Sequence, residues 1–225
     1  MQQVHISIDD VVESLRQAAT SPKGVNSSRM FRLLNCLHRL TGLKVTLYVF
    51  LRDGKGFSLD QVPSVFARYP WLRFAFHGVM PTNEPPMMTP DELDQAICQT
   101  HRCIERFAGA DKLTDIMRMH YWQYPDEYIQ VLKRYGYKTV LTRPRNDVRA
   151  NEYTTNGTMT TWQTQVRIEQ LSCREIIKAI KAYNQSTAEQ PLVIFTHEWA
   201  LSRRRVVLRF VMTVILLRLK KFTFI

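Results

Sequence analysis

Short apolar runs alternate with longer stretches of helical period along this chain, the pattern of a parallel α/β sheet or barrel. Val4 to Ile8 reads as a strand ending at Asp9-Asp10, and a helix follows from about Val11 to Ala19. After a turn with Pro22 and Gly24, a second helix capped by Ser27 or Ser28 runs to Gly42. Leu43 to Leu51 and Leu72 to Phe76 are the next two strands; Asp53-Gly54 breaks the first, and the second ends at His77-Gly78. A loop through Pro81, Pro85 and Pro86 leads to Thr89, whose Pro90 and Glu92 open a helix reaching about Phe107.

The second half continues the alternation. Thr114 to Met119 is a strand ending at His120, Pro125 opens a helix that closes at Gly136, and Lys138 to Thr142 is another strand. Between Arg143 and Gln165 the pattern turns polar and threonine-rich, which predicts irregular loop and short antiparallel strands covering the site. Ser172 opens a helix in which Ile176, Ile177, Ile180 and Tyr183 share a face, and Leu192 to Thr196 is a strand ending at His197. With no repeat or linker, the expectation is one domain over residues 1–225.

The formal charge of +11 favours anionic partners in general, but cations crowd the C-terminal stretch and no nucleic-acid-binding motif accompanies them. The expectation is a solubilising background and no specific nucleic-acid partner. Val206 to Leu217 is apolar but interrupted by Arg209 and too short to span a bilayer, so it reads as a terminal core helix, with membrane-surface contact as the alternative. Cys36, Cys98, Cys103 and Cys173 lack CxxC spacing and read as buried free thiols. The first residues lack the charged and apolar regions of a signal peptide, which predicts a cytoplasmic protein.

Polar residues gather where the predicted strands end: Asp9 and Asp10, His77, Arg118 with His120, and His197. Strand C-termini converge on one face of parallel α/β folds, so these residues form one candidate site. One carboxylate and two imidazoles make an open site for a divalent ion such as zinc, with the remaining acid and imidazole groups free to move protons. Each has a plainer reading as well. Asp10 can cap the helix that follows it, and a lone histidine at a strand end is more often structural. His5, His38 and His101 lie within a strand or helices and receive no chemistry.

The segment Ile6-Ser7-Ile8-Asp9-Asp10 resembles the first motif of the polysaccharide deacetylase superfamily, a strand ending in Thr-Phe-Asp-Asp. Phe74 to Gly78 is similar to the strand carrying that superfamily's first metal histidine. Arg118-Met119-His120-Tyr121 resembles its Arg-x-Pro-Tyr motif with His for Pro, and Phe195-Thr196-His197 resembles its late strand. These landmarks span residues 4 to 200 in the right order, in the texture of divergent bacterial members.

The resemblance implies a distorted seven-stranded (β/α) barrel and a metal-dependent deacetylase of N-acetylated sugars or polysaccharides, with zinc the expected ion. It implies Asp9 as general base, Asp10 and His77 as metal ligands, His197 as general acid and Arg118 as the residue orienting the base. Tyr121 would help hold the oxyanion through its backbone N–H. Pro81 stands where the usual His-x-x-x-His motif has its second histidine, and His120 is expected to replace it. Arg167, Glu169, Glu198 and Trp199 are candidate substrate contacts, with Trp199 stacking on a sugar and Arg167 and Glu169 bonding hydroxyls or orienting His197. A catalytically degenerate carbohydrate-binding or interaction protein on the same barrel is the alternative, because fold does not fix function.

Overall fold

The computed structural model describes residues 2–83, 88–122, 124–143, 159–186 and 189–225. The elements are β1 (Gln3–Val11), α1 (Glu13–Thr20), α2 (Arg29–Thr41), β2 (Val45–Phe50), β3 (Leu72–Gly78), α3 (Pro90–Phe107), β4 (Ile116–Met117) and α4 (Asp126–Arg134). They continue with β5 (Thr139–Thr142), β6 (Thr160–Gln163), β7 (Val166–Arg167), α5 (Cys173–Asn184), β8 (Leu192–His197), α6 (Arg204–Leu219) and β9 (Thr223–Phe224).

All the strand pairings between these elements are parallel. They form two arcs, one ordered β3-β2-β1-β8-β7 with β9 added beside β1, the other β4-β5-β6. The arcs approach at one edge, where Thr114 N–H donates to the Phe74 carbonyl at 3.2 Å; at the other the chain passes from β6 into β7, and Gln165 N–H extends the β7–β8 ladder to the Val193 carbonyl at 3.0 Å. The α/β class and parallel strands agree with expectation, but among the described residues the ladder is not continuous round a seven-stranded ring. β4 is the weak member: the expected strand over 114–119 shrinks to two residues because the chain turns into a 3-10 helix at His120.

Helix ends follow the local sequence. The Ser28 hydroxyl accepts from Phe31 N–H to begin α2, and Gly42, with φ +75°, ends it in the left-handed conformation that costs glycine nothing. Reciprocal capping boxes, Thr89 with Glu92 and Ser172 with Glu175, open α3 and α5.

Two expectations are corrected and one alternative is set aside. Residues 143–165 are expected to hold irregular loop and short antiparallel strands; residues 144–158 lie outside the described residues, but β6 pairs with β5 in parallel. Cys36 and Cys173 are exposed and Cys98 half-buried, leaving Cys103 as the buried thiol. Asp10 does not cap α1: β1 runs through it to Val11, and α1 starts at Glu13.

Strand alternation sorts the core into layers. Val4, Ile6 and Ile8 of β1 join Val45, Leu47 and Val49 of β2 and Leu192 and Ile194 of β8 in the main cluster, which also holds Leu15, Phe31, Leu34, Ile176 and Phe210 from the helices. The intervening residues His5, Ser7, Asp9, Tyr48, Ala75, His77 and Phe195 are also buried. They form the opposite row, facing the space between the arcs. There Arg118 lies over Phe195 and near Tyr48. The inward rows of β1, β3 and β8 therefore end at Asp9, His77 and His197. No helix of the described residues is long and apolar enough to cross a membrane.

Candidate metal and acid-base site

Strict alternation along β1 would turn Asp10 away from Asp9, toward the helices. Instead the register of β1 against β2 shifts between Ile8 and Val11, and Asp10 adopts φ +61°. Aspartate tolerates this left-handed conformation better than most side chains. The bulge brings both carboxylates to the strand end. Glu198 supports it from the far end of the chain, accepting N–H bonds from Val12 (2.8 Å), Glu13 (2.9 Å) and Ser14 (2.6 Å). It thus supplies the cap that α1 lacks locally, since Val12 at the N-cap offers no side-chain acceptor. Burial pushes the Glu198 carboxyl above its ordinary pKa despite these donors. Its oxygens are engaged by backbone, so the expectation of a substrate contact is replaced by a structural role.

Asp10, His77 and His120 come together, with one potential ligand atom from each lying within 4.8 Å of the other two. Asp10 Oδ1 is 3.2 Å from His77 Nε2 and 3.5 Å from His120 Nδ1, and the two ring nitrogens are 3.3 Å apart. The opposite nitrogens decide the tautomers. His77 Nδ1 lies 2.7 Å from the Arg118 carbonyl, and His120 Nε2 lies 3.3 Å from the Thr82 carbonyl. A carbonyl only accepts, so these nitrogens carry protons, and it is the other nitrogen of each ring that faces Asp10. Asp10 Oδ1 is buried without a hydrogen-bond partner, while Oδ2 accepts from the Trp199 indole N–H at 3.0 Å. Burial opposes ionisation of Asp10, but His120 and His77 beside it hold its carboxyl far below the usual range. Three electron-pair donors facing one another fit a divalent cation, which an Asp/His/His set suits.

Asp9 is almost fully buried. Ser7 Oγ donates to its Oδ1 at 3.3 Å, and Arg118 Nε lies 3.4 Å from its Oδ2. Arg118 is also completely buried, its guanidinium 4.2 Å above the Phe195 ring. Removing either partner would strand the other's charge in the interior.

His197 faces the same group from β8, its Nε2 3.9 Å from Asp10 Oδ2. Its Nδ1 donates to Glu169 Oε1 at 2.6 Å, and Arg167 Nε reaches the same oxygen at 2.6 Å. Thr196 Oγ donates to Glu169 Oε2 at 3.0 Å. Burial alone would raise the Glu169 pKa, but His197 and Arg167 pull it down to about 2. Arg167 and Glu169 thus lie against His197, with Glu169 bonded to its Nδ1.

The Trp199 ring is 47% exposed, stacks on His197 at 5.2 Å and lies beneath the Arg203 guanidinium. Tyr121 has φ +58°, and its hydroxyl donates to the Thr82 carbonyl. Beside these groups opens a cleft of about 540 Å³ lined by Asp10, His120, Trp199, Arg29, Pro81 and Asn83, among others. The sequence pattern did not reveal the Glu198 cap, the Trp199 bond to Asp10 or the two carbonyls that set the tautomers.

Neither the protein-family models nor the curated proteins give a match to this sequence. Solved structures do. A family 4 carbohydrate esterase from Streptomyces lividans, in complex with acetate, has a TM-score of 0.52 at 18% identity, over 97% of this chain and 89% of the other. The fold is that of the family 4 carbohydrate esterases. A peptidoglycan N-acetylglucosamine deacetylase gives 0.56 at 14% identity over 99% and 85% of the two chains. A family 4 pseudoenzyme from Bacillus anthracis gives 0.57 at 10% identity, covering 99% of this chain and 63% of its own. The fold expected from the four short motifs is therefore observed, at identities too low to carry activity with it.

Proposed function

We propose that this chain is a divalent-metal-dependent hydrolase that removes the acetyl group from an N-acetylated sugar or glycan. The observation carrying this reading is the convergence of Asp10 Oδ1, His77 Nε2 and His120 Nδ1, with both rings held in the ligating tautomer by backbone carbonyls. Asp10, His77 and His120 would hold the ion, zinc by donor type, which would supply positive charge for the scissile carbonyl and lower the pKa of water. Asp9, fixed by Arg118, accepts the proton of the attacking water. His197 gives a proton from Nε2 to the departing amine. Glu169, accepting from Nδ1–H, holds the ring with Nε2 toward the site and stabilises the imidazolium, the form in which Nε2 also carries a proton to give. The Tyr121 N–H aids the oxyanion, and Trp199 forms the exposed rim against which the sugar rests while steadying Asp10.

The chain stripped with chelator and titrated with zinc or cobalt is expected to bind about one ion, and to release acetate from N-acetylglucosamine oligomers. Asp10→Ala removes both properties. Asp9→Asn keeps the ion and lowers kcat by about 10²-fold or more. Acetate release that is undiminished in Asp10→Ala, or no ion bound by the intact chain, refutes the proposal.

A second reading, a carbohydrate-binding protein without catalysis, is favoured by Pro81 standing where the usual second metal histidine would be and by the pseudoenzyme of the same fold. Glycan binding with no acetate release by the metal-loaded chain selects it.

A further inference from the structure

Helix α6 presents apolar residues on both sides. Val206, Phe210, Val214 and Leu217 pack into the core. On the opposite side Leu208, Ile215 and Leu219 recur at helical spacing as a stripe, with Met212 between them partly buried against the core. Leu208 is 68% exposed, Ile215 42% and Leu219 73%. A surface helix normally turns a polar face outward, but between Arg205 and Arg218 the exposed residues of this one are Leu208 and Ile215.

Charge frames the stripe. Arg203, Arg204 and Arg205 precede it, and Arg218, Lys220 and Lys221 follow it. With Arg209 these make seven cations, and no acidic residue occurs after Glu198. The two helices that pack against α6 extend the same sign. Exposed Arg29, Arg32 and Arg39 stand on α2, which has no acid, and Arg174, Lys178 and Lys181 stand on α5 against one, Glu175.

We infer that this face docks on an anionic lipid bilayer, with α6 lying in the plane of the interface. Its apolar stripe enters the headgroup boundary while the flanking guanidinium and ammonium groups meet lipid phosphates. A nucleic-acid backbone would use the cations but offers nothing to Leu208, Ile215 and Leu219. A second copy of the chain would bring an equally cationic face against this one. Only an anionic apolar surface satisfies both features. Docking also sets the cleft close to the lipid, because Trp199, Leu201 and Ser202 line the cleft and lead directly into α6. It does not depend on whether the cleft is catalytic.

The test is co-sedimentation of the intact chain with vesicles of phosphatidylcholine, with and without phosphatidylglycerol, compared with Leu208→Gln/Ile215→Gln/Leu219→Gln. These side chains are exposed, so the variant keeps the fold, which circular dichroism checks. Binding is expected to need phosphatidylglycerol and to fall at least tenfold as salt rises to about 0.5 M, where screening reaches only a few ångströms. The triple variant is expected to lose at least tenfold at constant charge. No binding to anionic vesicles, or equal binding by the triple variant, would overturn the inference. So would a chain that is dimeric by light scattering and made monomeric by the triple variant, or one that prefers a short DNA duplex to vesicles.

Discussion

Replacing Glu169 by Gln keeps the shape of the side chain and removes the charge that His197 and Arg167 share. The Glu169 carboxyl, 4% exposed in its side chain, titrates at about 2 in the folded protein against an ordinary value of 4.5. A depressed carboxylate pKa contributes stability that is fully present above the unfolded value and lost as pH falls through the folded one. The difference of about 2.5 units corresponds to about 3 kcal/mol at 1.36 kcal/mol per unit. Urea unfolding at a series of pH values from 7 to 2.5 measures it. Glu169→Gln is expected to be less stable than the wild type by about 3 kcal/mol at pH 7, equivalent to about 6–12 °C in Tm for a chain of this size. Below pH 4.5 the two stabilities should converge, closing most of the gap by pH 2.5. A gap that stays constant over this range would show that the variant acts through packing and refute the electrostatic account of the Glu169-His197-Arg167 cluster.

Glu198→Ala leaves the Val12, Glu13 and Ser14 N–H groups without their acceptor and is expected to cost about 2–4 kcal/mol, readable as a lower urea midpoint. Because it also frees the Asp10 bulge, zinc affinity measured by calorimetry should fall with it. Gly78→Ala places a Cβ 3.0 Å from Phe50 Cε1 and 3.5 Å from His120 Cβ. The Phe50 ring packs edge-on against His77 and His120. The substitution should therefore cost about 1–3 kcal/mol by overpacking and weaken zinc binding, whereas unchanged affinity would separate Phe50 from ligand placement.

The strand ends were legible because their signals are local. Alternation at Val4-Ile6-Ile8 marks β1, the Ser-x-x-Glu at Ser172 marks the start of α5, and Gly42 marks the end of α2. Parallel strands all end on one face, so reading each terminus was enough to nominate Asp9, Asp10, His77, His120 and His197 together. The register shift in β1 that turns Asp10 into the site depends on the neighbouring β2, so the local sequence leaves Asp10 open between a helix cap and a ligand. Nor does the local pattern show that β6 runs parallel to β5, because direction is set by the pairing of separate strands.

The sequence by itself determined the element types, most helix caps and the set of residues able to carry chemistry, since these follow from propensity and period over a few residues. Tertiary structure decided which groups meet. Glu198 reaches the start of α1 across 186 positions, Glu169 reaches His197 across 28, and the Arg118 carbonyl sets the His77 tautomer across 41. A hydrogen bond acts over about 3 Å, and no local pattern encodes which distant strands will lie side by side. Only the packing of β1 between β2 and β8 brings Asp10 to its two histidines and His197 to Asp10.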